Sequence, residues 1–144
     1  MDVSTPVNLF EDLLEVDEVD RDVFCSRKLV SGVPGSSLVY GGQVIAQALM
    51  ATLKTVPEAF HPHSLHCYFV LGADFEKPIT YSVERIRDGR SIYSRHVKAT
   101  QDDHTVATCE ISLHKVNKQN YMFAHMHISM HLHIIPLKLR NVPS

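Results

Sequence analysis

The sequence predicts an α+β domain in which an antiparallel sheet wraps around one central helix. Three observations carry that expectation. Residues 41–56 run from a glycine pair to Pro57 without a helix breaker and are apolar nearly all the way round. Four strand-like segments joined by short turns follow before residue 116. The chain has 144 residues, 44% of them hydrophobic and 21% charged, which suits one soluble domain with a real core.

The central helix is expected over residues 42–56. Ala46, Leu49, Met50 and Leu53 form a stripe at helical spacing, and Val44, Ile45, Ala48 and Ala51 fill most of the remaining circumference. Gln43, Gln47 and Lys54, four and seven residues apart, mark one narrow polar face. The segment is too short to span a membrane, so protein has to cover it. Two readings of Gly41 and Gly42 stay open. Glycine permits a tight turn and close passage of backbone, and free amides at a helix start can also hold an anion or a developing oxyanion.

Each following segment reads as a strand. In His63–Leu71 the alternation puts His63, Leu65, Cys67, Phe69 and Leu71 on one face, which places His63 at the mouth of the core. A second strand over 79–87 turns Ile79, Tyr81 and Val83 inward. Asp88-Gly89 then suits a two-residue type I′ hairpin. The third strand, 91–100, carries Tyr93, Arg95, Val97 and Ala99 in register, and the fourth, 105–115, turns Ala107, Cys109, Ile111 and Leu113 inward. Arg85, Arg87, Arg90, Arg95 and Lys98 cluster about the hairpin, either protecting a sheet edge or contacting phosphate.

Ahead of the helix, Thr5-Pro6 looks like a cap, and Leu9, Phe10, Leu13 and Leu14 suit a short amphipathic helix. The acidic run Glu15–Asp22 reads as a solvated linker, with a first strand expected over 23–30. Charge is uneven. The chain carries a net −2, but residues 1–22 alone carry −7, leaving +5 for the rest. The overall balance gives no support to nucleic-acid binding. The basic body suits a polyanionic small ligand or is ordinary solvated charge.

Cys25, Cys67 and Cys109 are odd in number and widely spaced, behind an N-terminus unlike a signal peptide, which argues for free thiols in a reducing, intracellular setting. No Ser-centred elbow, phosphate loop, dinucleotide fingerprint or zinc framework is present, so no cofactor is expected. Residues 117–144 change character. They hold His125, His127, His131 and His133 as two His-X-His pairs, but no acid or cysteine there completes a metal site, and no metal is expected. The reading therefore divides the chain into a domain over 1–116 and a His-rich tail over 117–144.

Four motifs in order add a family resemblance. They are Tyr-Gly-Gly-Gln-Val-Ile-Ala-Gln-Ala-Leu (40–49), His-Ser-Leu-His-Cys-Tyr-Phe (63–69), Lys-Pro-Ile-Thr-Tyr-Ser-Val-Glu-Arg-Ile-Arg-Asp-Gly-Arg-Ser (77–91) and Ser-Arg-His-Val-Lys-Ala-Thr-Gln (94–101). Together they resemble the N-terminal half of type II acyl-coenzyme A thioesterases, bacterial and peroxisomal. The resemblance implies a single hotdog domain here and hydrolysis of fatty acyl-coenzyme A to free acid and coenzyme A. It also implies a second hotdog domain carrying the Asp, Ser/Thr and Gln that activate water, which residues 117–144 do not match. A truncated isoform, an incomplete gene model or a fragment is the expectation. On this reading Gly41 and Gly42 hold the thioester carbonyl, Gln43 orients it, and His63 polarises it or handles a proton. The alternative is a non-catalytic hotdog that binds acyl chains or supplies a dimer interface. Pairing of hotdogs into a homo-oligomer is expected in either case. The resemblance implies a peroxisomal address, but Val142-Pro143-Ser144 is not a Ser-Lys-Leu-type signal, leaving the cytoplasm as the other choice.

Overall fold

The computed structural model describes residues 9–116. The expectations for Thr5-Pro6 and for the His-rich tail lie outside those residues. The elements run α1 (Leu9–Leu14), β1 (Val16–Asp20), β2 (Val23–Ser26), α2 (Gly41–Leu53), β3 (Phe60–Phe69), β4 (Thr80–Asp88), β5 (Ile92–Gln101) and β6 (His104–Lys115). The strands form one antiparallel sheet in the order β1-β2-β4-β5-β6-β3. Helix α2 packs against β1, β2, β4, β5 and β6, so one sheet face and the helix enclose a common core.

Alternation works as expected in the middle of the sheet. Tyr81, Val97, Ala99, Cys109, Ile111 and Leu113 are all buried, and Ile79, just before β4, is buried with them. The helix is turned differently from the expectation. Its deepest face is Gln43, Val44, Gln47, Ala48, Ala51 and Thr52, whereas Ala46, Leu49, Met50 and Leu53 are only half-buried. Small residues at 48 and 51 let the helix backbone approach the sheet closely, and that approach fixes which side faces inward. The two glutamines are tolerated inside because the protein satisfies them, as described below.

Three more differences have local causes. The acidic run is not a linker. It forms β1, joined to β2 by a turn in which Asp22 takes φ 58°, and only Val16 of β1 is buried. Asp88-Gly89 does start a hairpin, but its loop is Gly89–Ser91, closed by the Gly89 N–H donating to Ile92 O at 3.0 Å. The type I′ geometry is found instead at Asp102-Asp103, with φ 49° and 62° between the paired Gln101 and His104. Finally, β4 and β5 are interior strands, so the arginines of their hairpin protect no edge.

The buried Arg95 ties this hairpin to the end of α2. Its guanidinium donates to Thr55 Oγ1 at 3.0 Å and Thr55 O at 3.2 Å, to Arg87 O and Ser94 O, and pairs with Asp88 at 2.6 Å. A cation set against a helix C-terminus also meets the negative end of the helix dipole.

Candidate functional site

The start of α2 combines backbone amides with an adjacent apolar cavity. Tyr40 precedes the helix without a side-chain cap, so the first amides of α2 are left for another acceptor. The helix has 13 residues, long enough for its dipole to add positive potential there. Both glycines are closely approached by a neighbouring aromatic side chain, and neither takes an unusual backbone angle. A Cβ on Gly41 would stand 3.1 Å from Phe69 Cζ, and one on Gly42 would stand 2.6 Å from Tyr40 Cε1. Beside them lies an apolar cavity of about 50 Å³, lined by Val39, Gly41, Val44, Phe69, Leu71, Gly72, Ala73 and Val106. Leu38, Tyr40, Tyr68, Val70 and Leu71 are exposed apolar residues of the same segments, making its surroundings greasy. None of the lining residues carries a carboxylate or an imidazole.

Gln43 lies next to this cavity in sequence but turns the other way. Its Nε2 donates to Leu13 O at 2.8 Å and Lys28 O at 2.7 Å, and its Oε1 accepts from Val30 N–H at 2.9 Å. Gln47 repeats the clamp one turn on. Its Nε2 donates to Leu13 O at 2.8 Å and Lys28 O at 3.3 Å, and its Oε1 accepts from Tyr81 Oη at 2.8 Å. The expected orienting amide at residue 43 is therefore committed to holding the N-terminal segments on the helix. Burial pushes the Tyr81 hydroxyl upward, so it remains a proton donor to Gln47.

His63 is not at the mouth of the core. A bulge between Pro62 and Ser64 makes it an extra residue in β3, which breaks the alternation and leaves it exposed. Its ring meets His114 edge-on with centroids 5.3 Å apart. It stands six residues along β3 from Phe69, or roughly 20 Å at the rise of a strand. Gly41 thus lines the apolar cavity, and His63 stands apart from it along β3. The hydrophobic wall formed by Val39 and Val106 was missed by sequence reasoning, because a loop and a strand start meet there only through folding.

The arginine cluster also divides. Arg85 donates to Asp22 at 2.8 and 2.9 Å, and Arg95 is inside the core. Arg87 and Arg90, with Ser91 and Ser94, line an open pocket of about 360 Å³ at the hairpin, at the end of the sheet away from the helix start. It does not share the Gly41 site.

The comparisons with known proteins fit this architecture. The acyl-CoA thioesterase N-terminal domain model matches residues 30–114. The chain belongs to that family. It is 41% identical over 108 residues to mouse acyl-coenzyme A thioesterase 8, covering 75% of this chain and 33% of that protein. It is 38% identical over 101 residues to the yeast peroxisomal acyl-coenzyme A thioester hydrolase 1, covering 70% of this chain and 29% of that protein. Among solved structures, acyl-CoA thioesterase II TesB2 from Mycobacterium marinum matches with a TM-score of 0.66 and 28% identity, covering 76% of this chain and 39% of that one. The α+β hotdog domain is thereby established, and the chain spans about a third of the length of the curated relatives it matches. No helix among the described residues is long and apolar enough to cross a membrane.

Proposed function

We propose that this chain is the N-terminal hotdog half of an acyl-coenzyme A thioesterase, and that it seats the thioester at the start of α2. The observation that carries the reading is the uncapped Gly41-Gly42 helix start opening beside an apolar cavity. Amides at that end suit a carbonyl oxygen that gains negative charge as water adds, and the cavity suits methylenes next to it. The substrate class comes from the family and its named relatives, fatty acyl-coenzyme A. No cofactor enters the reaction. Water activation is assigned to groups outside the described residues, on a second hotdog of the kind the family resemblance implies, because the cavity is lined by no base.

A second hotdog domain, here a second copy of this chain, is the partner we propose. Among the described residues, strand β3 is ten residues long with one unpaired edge, while the opposite edge strand, β1, is guarded by Asp17, Glu18 and Asp20. The half-buried Leu49, Met50 and Leu53 on the outer side of α2 offer apolar surface to the same partner. These two features also favour the second reading, a hotdog that binds acyl chains or pairs without catalysing. A peroxisomal site of action is proposed from the name of the yeast relative, with the cytoplasm as the alternative.

The test is purified full chain given a fatty acyl-coenzyme A, with thiol release and calorimetric binding measured together. We expect binding, and turnover roughly 10²–10⁴-fold below a two-domain relative, the usual contribution of a positioned base. His63→Ala should change neither. Robust turnover abolished by His63→Ala would overturn the site assignment. Binding with no release above the spontaneous rate leaves the non-catalytic acyl-binding reading, and absence of binding leaves a pairing module alone.

A further inference from the structure

Two thiols outside the proposed site stand directly opposite one another. Cys67 of β3 and Cys109 of β6 are partners in register, and both face the core at 7% and 1% exposure. The hydrogen bonding of this strand pair decides how close they are. Val70 N–H donates to Val106 O at 2.9 Å at one end of the ladder, and Val116 N–H donates to Ala59 O at 3.1 Å at the other. Each of those is a bonded pair, and bonded and non-bonded pairs alternate along an antiparallel ladder. Counting from either end, through the bulge at His63, makes every inward pair of β3 and β6 non-bonded, Cys67–Cys109 among them. Pro62, which has no N–H to give, sits at such a position opposite Leu113. Facing residues in non-bonded pairs have Cα atoms about 4.5 Å apart, inside the span a disulfide bridges.

We infer that Cys67 and Cys109 form a redox-active dithiol that closes to a cross-strand disulfide when a hydroperoxide oxidises the protein. Cys67 is the attacking thiol. It lies on an edge strand of the sheet formed by the described residues and is the less buried of the two, and the neighbouring Cys109 thiol, acting as a hydrogen-bond donor, holds it below its ordinary value. Its thiolate attacks one peroxide oxygen, the O–O bond breaks, and an alcohol or water leaves with a proton, giving a sulfenic acid on Cys67. The Cys109 sulfur then attacks the Cys67 sulfur. The S–S bond forms, the S–O bond breaks, and the departing hydroxide takes the Cys109 proton away as water. The two sulfurs together give up two electrons and the peroxide accepts two.

Cys25 is excluded from the exchange. It lies on β2, three places from β6 in the sheet, and alternates outward between the buried Phe24 and Ser26. Closing the bridge would pin the edge strand two residues before Phe69, whose ring walls the apolar cavity.

The experiment treats the folded full chain with hydrogen peroxide, blocks remaining thiols after unfolding, and maps the peptides by mass. Untreated protein should give three blockable thiols, and treated protein one, at Cys25, with the peptides of Cys67 and Cys109 joined in a monomer. Dithiothreitol should restore all three. Cys25→Ser, changed at a half-buried position outside the pair, should fall from two blockable thiols to none. Three thiols surviving in the treated protein, a bridge that includes Cys25, a link between two chains, or over-oxidised Cys67 with no joined peptide would each overturn the inference.

Discussion

The Tyr81 hydroxyl donates to the side-chain oxygen of Gln47 at 2.8 Å, with both residues at 0% exposure. This bond joins the sheet to the middle of the helix inside the core. Tyr81→Phe removes the donor and strands a buried acceptor, which costs about 1–3 kcal/mol. Gln43→Ala should cost at least as much, since it strands the Val30 N–H and removes one of two donors from Leu13 O and Lys28 O. Gln43 and Gln47 share the acceptors Leu13 O and Lys28 O. Their double substitution should therefore depart from the sum of the singles, by about 0.5–3 kcal/mol for such coupled neighbours. Urea unfolding of the four proteins measures this, and simple additivity would show that the two clamps act independently.

Orientation of α2 separates folding from association. Ala48 is fully buried against the sheet, whereas Leu49 is half-buried on the outer side. An aspartate at 48 places an unpaired carboxylate in the core, a cost of several kcal/mol against a total stability of about 5–15. Ala48→Asp should be unfolded. Leu49→Asp should melt cooperatively and lose self-association in sedimentation. A Leu49→Asp chain that fails to fold would mean that the outer side of the helix is sealed in the monomer.

Arg85 holds the Asp22 carboxyl below its ordinary value by hydrogen bonding, with charge attraction adding to it. A depressed carboxyl contributes stability that is complete above the unfolded value and is lost as pH falls through the folded one. Wild-type protein should therefore lose part of its urea midpoint on going from about pH 6 to below about pH 4, and Asp22→Asn should lose less. Asparagine tolerates the φ of 58° at this turn, so the comparison is free of backbone strain. Equal losses in both proteins would assign the acid sensitivity to other carboxyls.

These residues also show what the sequence could reveal. Period-two alternation identified the inward faces of β4, β5 and β6 because those strands are interior and bury one side, β5 and β6 along most of their length and β4 at Tyr81 and Val83. It failed at β1, where Asp17, Glu18, Val19 and Asp20 are all exposed and the only buried residue is Val16. It failed again at His63, where one extra residue at the bulge reverses the side on which a residue points. Gln43 and Gln47 read as a solvent face because polar side chains usually are one. Their partners, Leu13 O and Lys28 O, lie 15 to 34 residues away in sequence, and nothing local signals them. The glycine pair was legible as a helix start. The cavity beside it was not, since its walls come from a loop, a helix and the ends of two strands.

That cavity supplies the sharpest test of the proposed site. A methyl group at Gly41 would point at Phe69, with 3.1 Å to its ring, and Gly41 itself lines the cavity. Because the contact is with a partly buried side chain rather than backbone, Phe69 can shift and the fold should persist. Overpacking of this kind costs about 1–3 kcal/mol, offset in part by the gain of up to about 1 kcal/mol when alanine replaces glycine in a helix. The ligand has no such compensation. If the acyl chain beside the thioester enters this space, Gly41→Ala should weaken fatty acyl-coenzyme A binding about tenfold or more, since each 1.4 kcal/mol is tenfold. Free coenzyme A lacks the acyl chain and should bind the variant and the wild type alike. Calorimetry with the two ligands makes the distinction. Equal weakening of both would indicate a general disturbance of the helix start, and unchanged acyl-coenzyme A binding would remove the acyl chain from this cavity.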